Sequence, residues 1–420
     1  MSEEIRKRRS WLDGFMAYAL PVRLTETKLR EHIVVLDQLL YGLWNLGENL
    51  VFAWTPLPQG LRLLVAPHPL LTEFAQGGAT PAECHRRSRL LDELLATQTH
   101  LSGPQFDRMA QELGLDAHHI PLGFEPEAGL GLELIAALIA RYGIRLVEDR
   151  AVILFDAVGF SLLSPLQQVV QLNSLSCSVN AAYARLLDRE ININFARTTT
   201  GDGFYIWNRM RGIEANVELY QLMQFVLADN ALARERAQRL DSVPRLRACF
   251  HVGSHYEFHQ SEGLNPTSFS YLVGQVTIEL ARMVERALPG QILVGKFNTL
   301  MSDENDGETK RVASIDFVER TREPLHRLHG LKLAGAEIDE IACYLTGRQQ
   351  DTGSEGDSER DGESFGISEF EIADKHGLPH RVYNAKINIH RRNGEPIYLG
   401  LREEDLDDFP ARLVSTAASL

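Results

Sequence analysis

The stretch Leu154-Phe155-Asp156-Ala157-Val158-Gly159-Phe160-Ser161 joins an apolar run to a turn, with a carboxylate at the junction. A strand that ends in Asp156 and then bends at Gly159 leaves successive backbone N–H groups free to point inward. Such a nest of amides suits a polyphosphate. A second stretch, Thr198-Thr199-Thr200-Gly201-Asp202-Gly203-Phe204, sets Asp202 at a hairpin tip between two β-rich runs. Carboxylates on neighbouring strands can share two divalent ions about 3.5–4 Å apart, one activating a hydroxyl and the other the leaving group. Taken singly, each motif is also ordinary turn chemistry: Asp-Gly closes many hairpins, and Asp156 alone could cap a helix.

Outward from these turns, residues 146–348 alternate strands and helices. The patterning predicts strands over Val147–Phe155, Ile191–Thr199, Phe204–Trp207, Leu246–Phe258, Phe269–Val273 and Gln291–Val294. Helices are predicted over Pro165–Leu187, Ile213–Leu240 and Gln275–Ala287. The order implies an α+β unit, a mostly antiparallel sheet with helices on one face. Residues 1–145 read as mainly helical, with Lys28–Leu50 the best-patterned segment and Pro56, Pro58, Pro67 and Pro69 as breaks. Gly129-Leu130-Gly131 lacks the third glycine of a dinucleotide fingerprint and reads as a loop before the helix Leu132–Tyr142. His118-His119 reads as a solvated loop before Pro121. Residues 349–366, rich in Gly, Ser, Asp and Glu, read as a flexible acidic linker. Residues 367–420 read as a small β module of three strands with an Asn393-Gly394 turn, too short for much core of its own and expected to dock on something larger.

Composition narrows the classes of function. The chain has 420 residues, 44% hydrophobic and 24% charged, with 57 acidic against 43 basic side chains and a net charge of −14. That balance argues against nucleic acid or an anionic membrane as partner, since phosphate backbones are held by clustered Lys and Arg. The four scattered cysteines form no CxxC pair, so neither a zinc ribbon nor a disulfide framework is expected. The run Arg6-Lys7-Arg8-Arg9 is not followed by a sufficient apolar stretch for a signal peptide. Leu132–Ile139 is far short of the ~20 residues that span a bilayer. A cytoplasmic location is the expectation.

The paired turns lead to a resemblance. Residues 148–346 resemble the catalytic domain of class III adenylate and guanylate cyclases, in which a strand ends in Asp-(Ile/Val)-x-Gly-Phe-(Ser/Thr) and a later hairpin carries Gly-Asp. The resemblance implies a ferredoxin-like βαββαβ core and a lyase that closes a nucleoside triphosphate into a 3′,5′-cyclic monophosphate, releasing pyrophosphate. It implies that Asp156 and Asp202 hold two Mg²⁺ or Mn²⁺ ions per site, and that the amides of Val158, Gly159, Phe160 and Ser161 receive the phosphates. Gly274-Gln275-Val276-Thr277-Ile278-Glu279-Leu280-Ala281-Arg282 is similar to the family's Gly-x-x-Val-Asn-x-Ala-x-Arg helix, which makes Arg282 the arginine that stabilises the transferring phosphoryl. Gly330-Leu331-Lys332 resembles a Leu-Lys-Gly segment, making Lys332 a triphosphate ligand.

The chain departs from the family at three positions. Ile278 replaces the ribose-orienting Asn, with Thr277 beside it as a substitute. Thr198 and Tyr271 stand where adenylate cyclases carry Lys and Asp to read the base. Ile372-Ala373-Asp374-Lys375-His376-Gly377 with Tyr383-Asn384-Ala385-Lys386 resembles a sensor module that follows some bacterial cyclases, among them the Pycsar uridylate cyclases of antiphage defence. The resemblance therefore ranks UTP to cyclic UMP first, ahead of ATP (to cyclic AMP) or CTP. A degenerate cyclase that only binds nucleotide is the reading from another class. The family's shared sites imply a homodimer with Asp156 and Asp202 from one subunit and Arg282 from the other, and a downstream receptor for the cyclic product.

Overall fold

A computed structural model describes residues 25–96, 100–191, 193–262, 265–303, 307–322, 328, 330–333, 336–349 and 365–418. The basic run at residues 6–9 and nearly all of the acidic linker lie outside them. The chain divides into two units, Met1–Val147 with His255–Val273, and Glu148–Ser254 with Gly274–Leu420.

The first unit opens with α1 (Glu26–Trp44), whose N-cap Thr25 accepts from the Lys28 N–H. It stops six residues short of the expected end because Asn45 turns left-handed (φ 50). Strands follow where the prolines suggested only breaks: β1 (Asn49–Leu57) and β2 (Gly60–Pro67) form an antiparallel hairpin, and β3 (Ala117–Pro121) adds to β2. Pro56 is tolerated because β1 is the edge of the order β1-β2-β3, where a missing N–H costs no ladder bond. His118 and His119 therefore sit on a strand, both exposed. Helices α2 (His68–Gln76), α3 (Pro81–Ala96), α4 (Gly103–Leu113), α5 (Pro126–Gly129) and α6 (Leu132–Ala140) complete this part. Its core gathers Ile33, Leu36 and Leu40 of α1 around Trp54, Leu61 and Leu63 of the sheet.

In the second unit the described strands other than β10 and β11 belong to one large mixed sheet. Its central path runs β12-β13-β16-β9-β7-β4-β6-β5. Here β4 is Ile144–Ala157, β5 Phe195–Thr199, β6 Gly203–Asn208, β7 Leu246–Glu262, and β8 Asn265–Val273 pairs with β7 within the first unit. Strand β9 (Ile292–Gly295) runs parallel to β7; β10 (Asn298–Ser302) and β11 (Thr309–Ala313) make a separate hairpin. Strands β12 (Lys332–Leu333), β13 (Ala336–Leu345) and β14 (Gly347–Gln349) precede the linker, and β15 (Phe365–Ala373), β16 (Pro379–Arg392), β17 (Gly394–Leu399) and β18 (Ala411–Ala418) follow it. The C-terminal strands are thus built into the sheet: β16 is hydrogen-bonded to β13 on one side and to β9 on the other. Burial explains this, because Tyr383, Ala385, Ile387 and Ile389 need a covered face that three strands alone cannot supply.

Helices α7 (Pro165–Leu187) and α8 (Ile213–Arg236) cover one face of the sheet, with Leu175, Val179 and Ala182 against Ile153, Phe155 and Ile206. Helix α9 (Gln275–Arg286) takes the other face. A Cβ on Gly253, which alternation aims away from the Phe250 and Val252 side, would lie 3.4 Å from Val276 Cβ. Helices on one face only is accordingly corrected to helices on both. α10 (Ser314–Arg320) is the last α-helix among the described residues.

Candidate functional site

β4 and β6 pair antiparallel with Asp156 opposite Gly203, and the Ala157 N–H donates to the Asp202 carbonyl at 3.0 Å. Gly203 permits that approach: a Cβ there would meet the Phe155 oxygen at 1.8 Å. Asp202 is set at the tip by Gly201, held left-handed at φ 101, and by the Thr200 hydroxyl, which lies 3.1 Å from its Oδ1. The two aspartates of the sequence motifs therefore converge. The Asp156 carboxyl is raised above its ordinary range, chiefly by burial; the Arg247 guanidinium pulls it back down, and Asp202 adds to the rise.

Arg247 escaped the sequence analysis. It lies on β7 and donates through Nε (2.8 Å) and an NH2 group to Asp156 Oδ2. Strand alternation puts it with Cys249 and His251 on the face opposite Ala248 and Phe250. That signal was present in the sequence, but it required knowing that β7 lies beside β4. Burial raises the Cys249 thiol and lowers His251 to about 4, so the floor beyond Arg247 is neutral at physiological pH.

Beyond Asp156 the chain turns at Gly159 (φ 71) into a short 3₁₀ turn, Phe160–Leu162. The Val158 N–H is donated to the Arg245 carbonyl at 2.8 Å. The amide cradle expected of residues 158–161 is thereby narrowed to Gly159, Phe160 and Ser161, because Val158 already has a partner.

The remaining candidates lie elsewhere. Arg282 on α9 points its Nε at Asp374 Oδ2 (3.3 Å) and an amino group at Glu285 (3.8 Å). Asp374 is fixed in turn by the N–H groups of His376 and Leu378. Lys332 is exposed on β12, six strand positions from β6 along the sheet, or about 30 Å at ~4.8 Å per strand. The Thr277 hydroxyl donates back to the Gly274 carbonyl, and the Thr277 carbonyl accepts from Tyr205. Ile278 is half exposed. Thr198 is exposed on β5, opposite Tyr205. Tyr271, in the first unit, stacks on Phe258 with ring centroids 5.7 Å apart. One chain thus assembles Asp156, Asp202 and Arg247, whereas Arg282 makes its ion pairs with Asp374 and Glu285.

Two carboxylates beside a glycine turn fit a divalent ion that draws its remaining oxygens from a phosphate ligand and water. Among the described residues no cluster of three or more His, Cys, Asp or Glu could hold a metal without such help. No described helix is long and apolar enough to cross a membrane.

No protein-family model matches the chain, and no curated protein does. The solved structures it resembles include cyclases. A guanylate cyclase domain from Catenaria anguillulae in complex with GTP is 13% identical, covers 59% of this chain and 99% of its own length, and has a TM-score of 0.32. An adenylyl cyclase from P. aeruginosa is 12% identical over 57% of this chain and 95% of its own, also at 0.32. Adenylate cyclases from Trypanosoma brucei are 11% identical over 57% and 88%, at 0.30. Overlap this slight leaves the chemistry to be argued from the chain's own residues.

Proposed function

We propose that this chain is a nucleotidyl cyclase of the class III type, converting a nucleoside triphosphate into a 3′,5′-cyclic monophosphate and pyrophosphate. The observation that carries the reading is the convergence of Asp156 and Asp202 across the β4–β6 pair, next to a turn that offers amides. The two carboxylates would hold Mg²⁺ or Mn²⁺, two per site. Bound there, the ions would supply Lewis acidity to a ribose 3′-hydroxyl and charge neutralisation at the departing pyrophosphate.

The chain's own groups have separable tasks. Burial and the neighbouring Asp202 raise the Asp156 carboxyl, which favours a cation beside it. Arg247 holds Asp156 in place and, being a forked donor, can turn towards phosphate oxygens when a cation takes over its partner. The N–H groups of Gly159 to Ser161 orient the β- and γ-phosphates. Arg282 and Lys332 stabilise the transferring phosphoryl and the leaving group.

Because Arg282 pairs with Asp374 and Lys332 stands about 30 Å along the sheet from β6, both would come from a second copy of the chain. A homodimer with two shared sites follows. An exposed apolar row at the start of α7, with Leu162 88%, Leu166 75% and Val169 64% exposed, supports such a partner.

Thr198 and Tyr271 would read the base, and their hydroxyls can donate or accept. We place UTP to cyclic UMP in antiphage signalling first, with a downstream receptor taking the product, and ATP to cyclic AMP second. The half-exposed Ile278 supports the other reading, a nucleotide-binding module without turnover, since its sec-butyl side chain offers a ribose no hydrogen bond. Incubating the purified chain with each of the four triphosphates and Mg²⁺ or Mn²⁺, followed by chromatography, separates these. A cyclic monophosphate from one base supports the enzyme, and tight binding without product supports the module.

A further inference from the structure

Far along the sheet from Asp156, α10, β13, β15 and β16 enclose a cavity of about 580 Å³. That is an ordinary size for a small-molecule site. One wall is apolar, with Ile315 and Val318 of α10. The opposite side carries Lys386 of β16, directly across the strand pair from Tyr344 of β13.

Lys386 is the informative residue. It is only 8% exposed, yet among the described residues no ion pair to it is present. Its ammonium instead stands 5.9 Å from the centre of the Tyr398 ring. A second cation of the lining, Arg402, repels it, while Asp405 and Glu404 attract it without forming an ion pair, Glu404 being engaged by Arg402 at 3.0 Å. Burying an ammonium without a direct ion pair is costly, and burial lowers the Lys386 pKa. The Lys386 ammonium thus has no anion in contact with it among the described residues. Arg322 also lines the cavity, with its Nε spent on the Cys343 carbonyl. Of the two carboxylates in the lining, Glu403 accepts from the Thr346 hydroxyl at 2.9 Å, and Glu319 lies on the α10 wall. The cationic groups exceed the carboxylates by little, which favours a singly charged ligand over a polyphosphate.

We propose that this cavity is a binding site for a small amphipathic monoanion: one carboxylate or singly charged phosphate ester against Lys386 and Arg402, and an apolar body against Ile315 and Val318. It shares no residue with the Asp156–Asp202 site and stands or falls independently of the cyclase reading.

Calorimetric titration of the full chain with three probes tests it: 1-naphthylacetate, its neutral analogue 2-(1-naphthyl)ethanol, and acetate. Naphthylacetate is expected to bind at one saturable site. The alcohol should bind at least about tenfold more weakly for want of the charge-assisted contact, and acetate should not bind measurably. Lys386→Met should abolish the preference for the anion while keeping a cooperative melt. If that variant fails to fold, Arg402→Gln, an exposed change, decides by weakening naphthylacetate severalfold. No saturable naphthylacetate binding overturns the proposal. So does acetate binding as well as naphthylacetate, or unchanged affinity in a folded Lys386→Met or, failing that, in Arg402→Gln.

Discussion

Replacing Arg247 by Met should destabilise the second unit mainly by stranding Asp156. The side chains are only 24% and 9% exposed, and two N–H groups of one guanidinium converge on a single carboxylate oxygen. Removing one partner of such a pair costs about 3 kcal/mol, because the other charge stays buried and unpaired. The Asp156 carboxyl is already raised by burial and by Asp202, and loss of the opposing guanidinium raises it further. A group whose folded-state pKa is raised contributes stability below its unfolded value and loses it as pH rises through the folded value. The Arg247→Met penalty should therefore be small at acid pH and grow towards neutrality. The double variant Arg247→Met/Asp156→Asn removes the stranded charge and should recover about 2 kcal/mol of the loss at pH 7.5. Urea denaturation of the wild type, both single variants and the double variant at several pH values completes the cycle. A penalty that stays the same with pH and persists in the Asn background would refute the reasoning, leaving lost packing of the Arg247 stem as the cause.

Asp202→Asn should lower cyclase turnover at least about a hundredfold with little change in melting temperature, as measured by product formation and thermal unfolding, since Asp202 is partly exposed and its loss removes one of two cation-holding groups. Mixing Asp156→Ala with Arg282→Ala chains should restore about a quarter of wild-type activity, because random pairing makes half the dimers mixed and each has one intact site of two; no recovery on mixing would disprove a shared site. Gly203→Ala should cost more than about 3 kcal/mol in urea denaturation, since its Cβ would sit 1.8 Å from the Phe155 oxygen and the β4–β6 pair would have to open.

Much of the second unit was legible in the sequence because its signals are local. Pro165–Leu187 came out residue for residue, fixed by Ser164 as N-cap, Pro165 at the first turn and Gln167 closing a capping box. The hairpin at Gly201–Gly203 and the turn at Gly159 were likewise written in glycines whose backbone has no alternative. What escaped depended on partners distant in sequence. The N-terminal strands looked like proline-broken loop because nothing local says that β1 is an edge, where Pro56 loses no ladder bond. The C-terminal strands read as a separate module because only pairing of β16 with β9 and β13 shows where their apolar face is buried. Arg247 looked like any strand arginine until β7 was placed beside β4.

By itself, then, the sequence determined where the chain turns and which carboxylates stand at strand ends, since φ/ψ limits and side-chain period act over a few residues. Only tertiary structure decided that Arg247 closes on Asp156, that Val158 spends its N–H on Arg245, that Arg282 is paired with Asp374, and that Lys386 is buried with no ion pair among the described residues. Those are long-range matters of charge and hydrogen-bond satisfaction, and they exist only once strands far apart in sequence lie side by side.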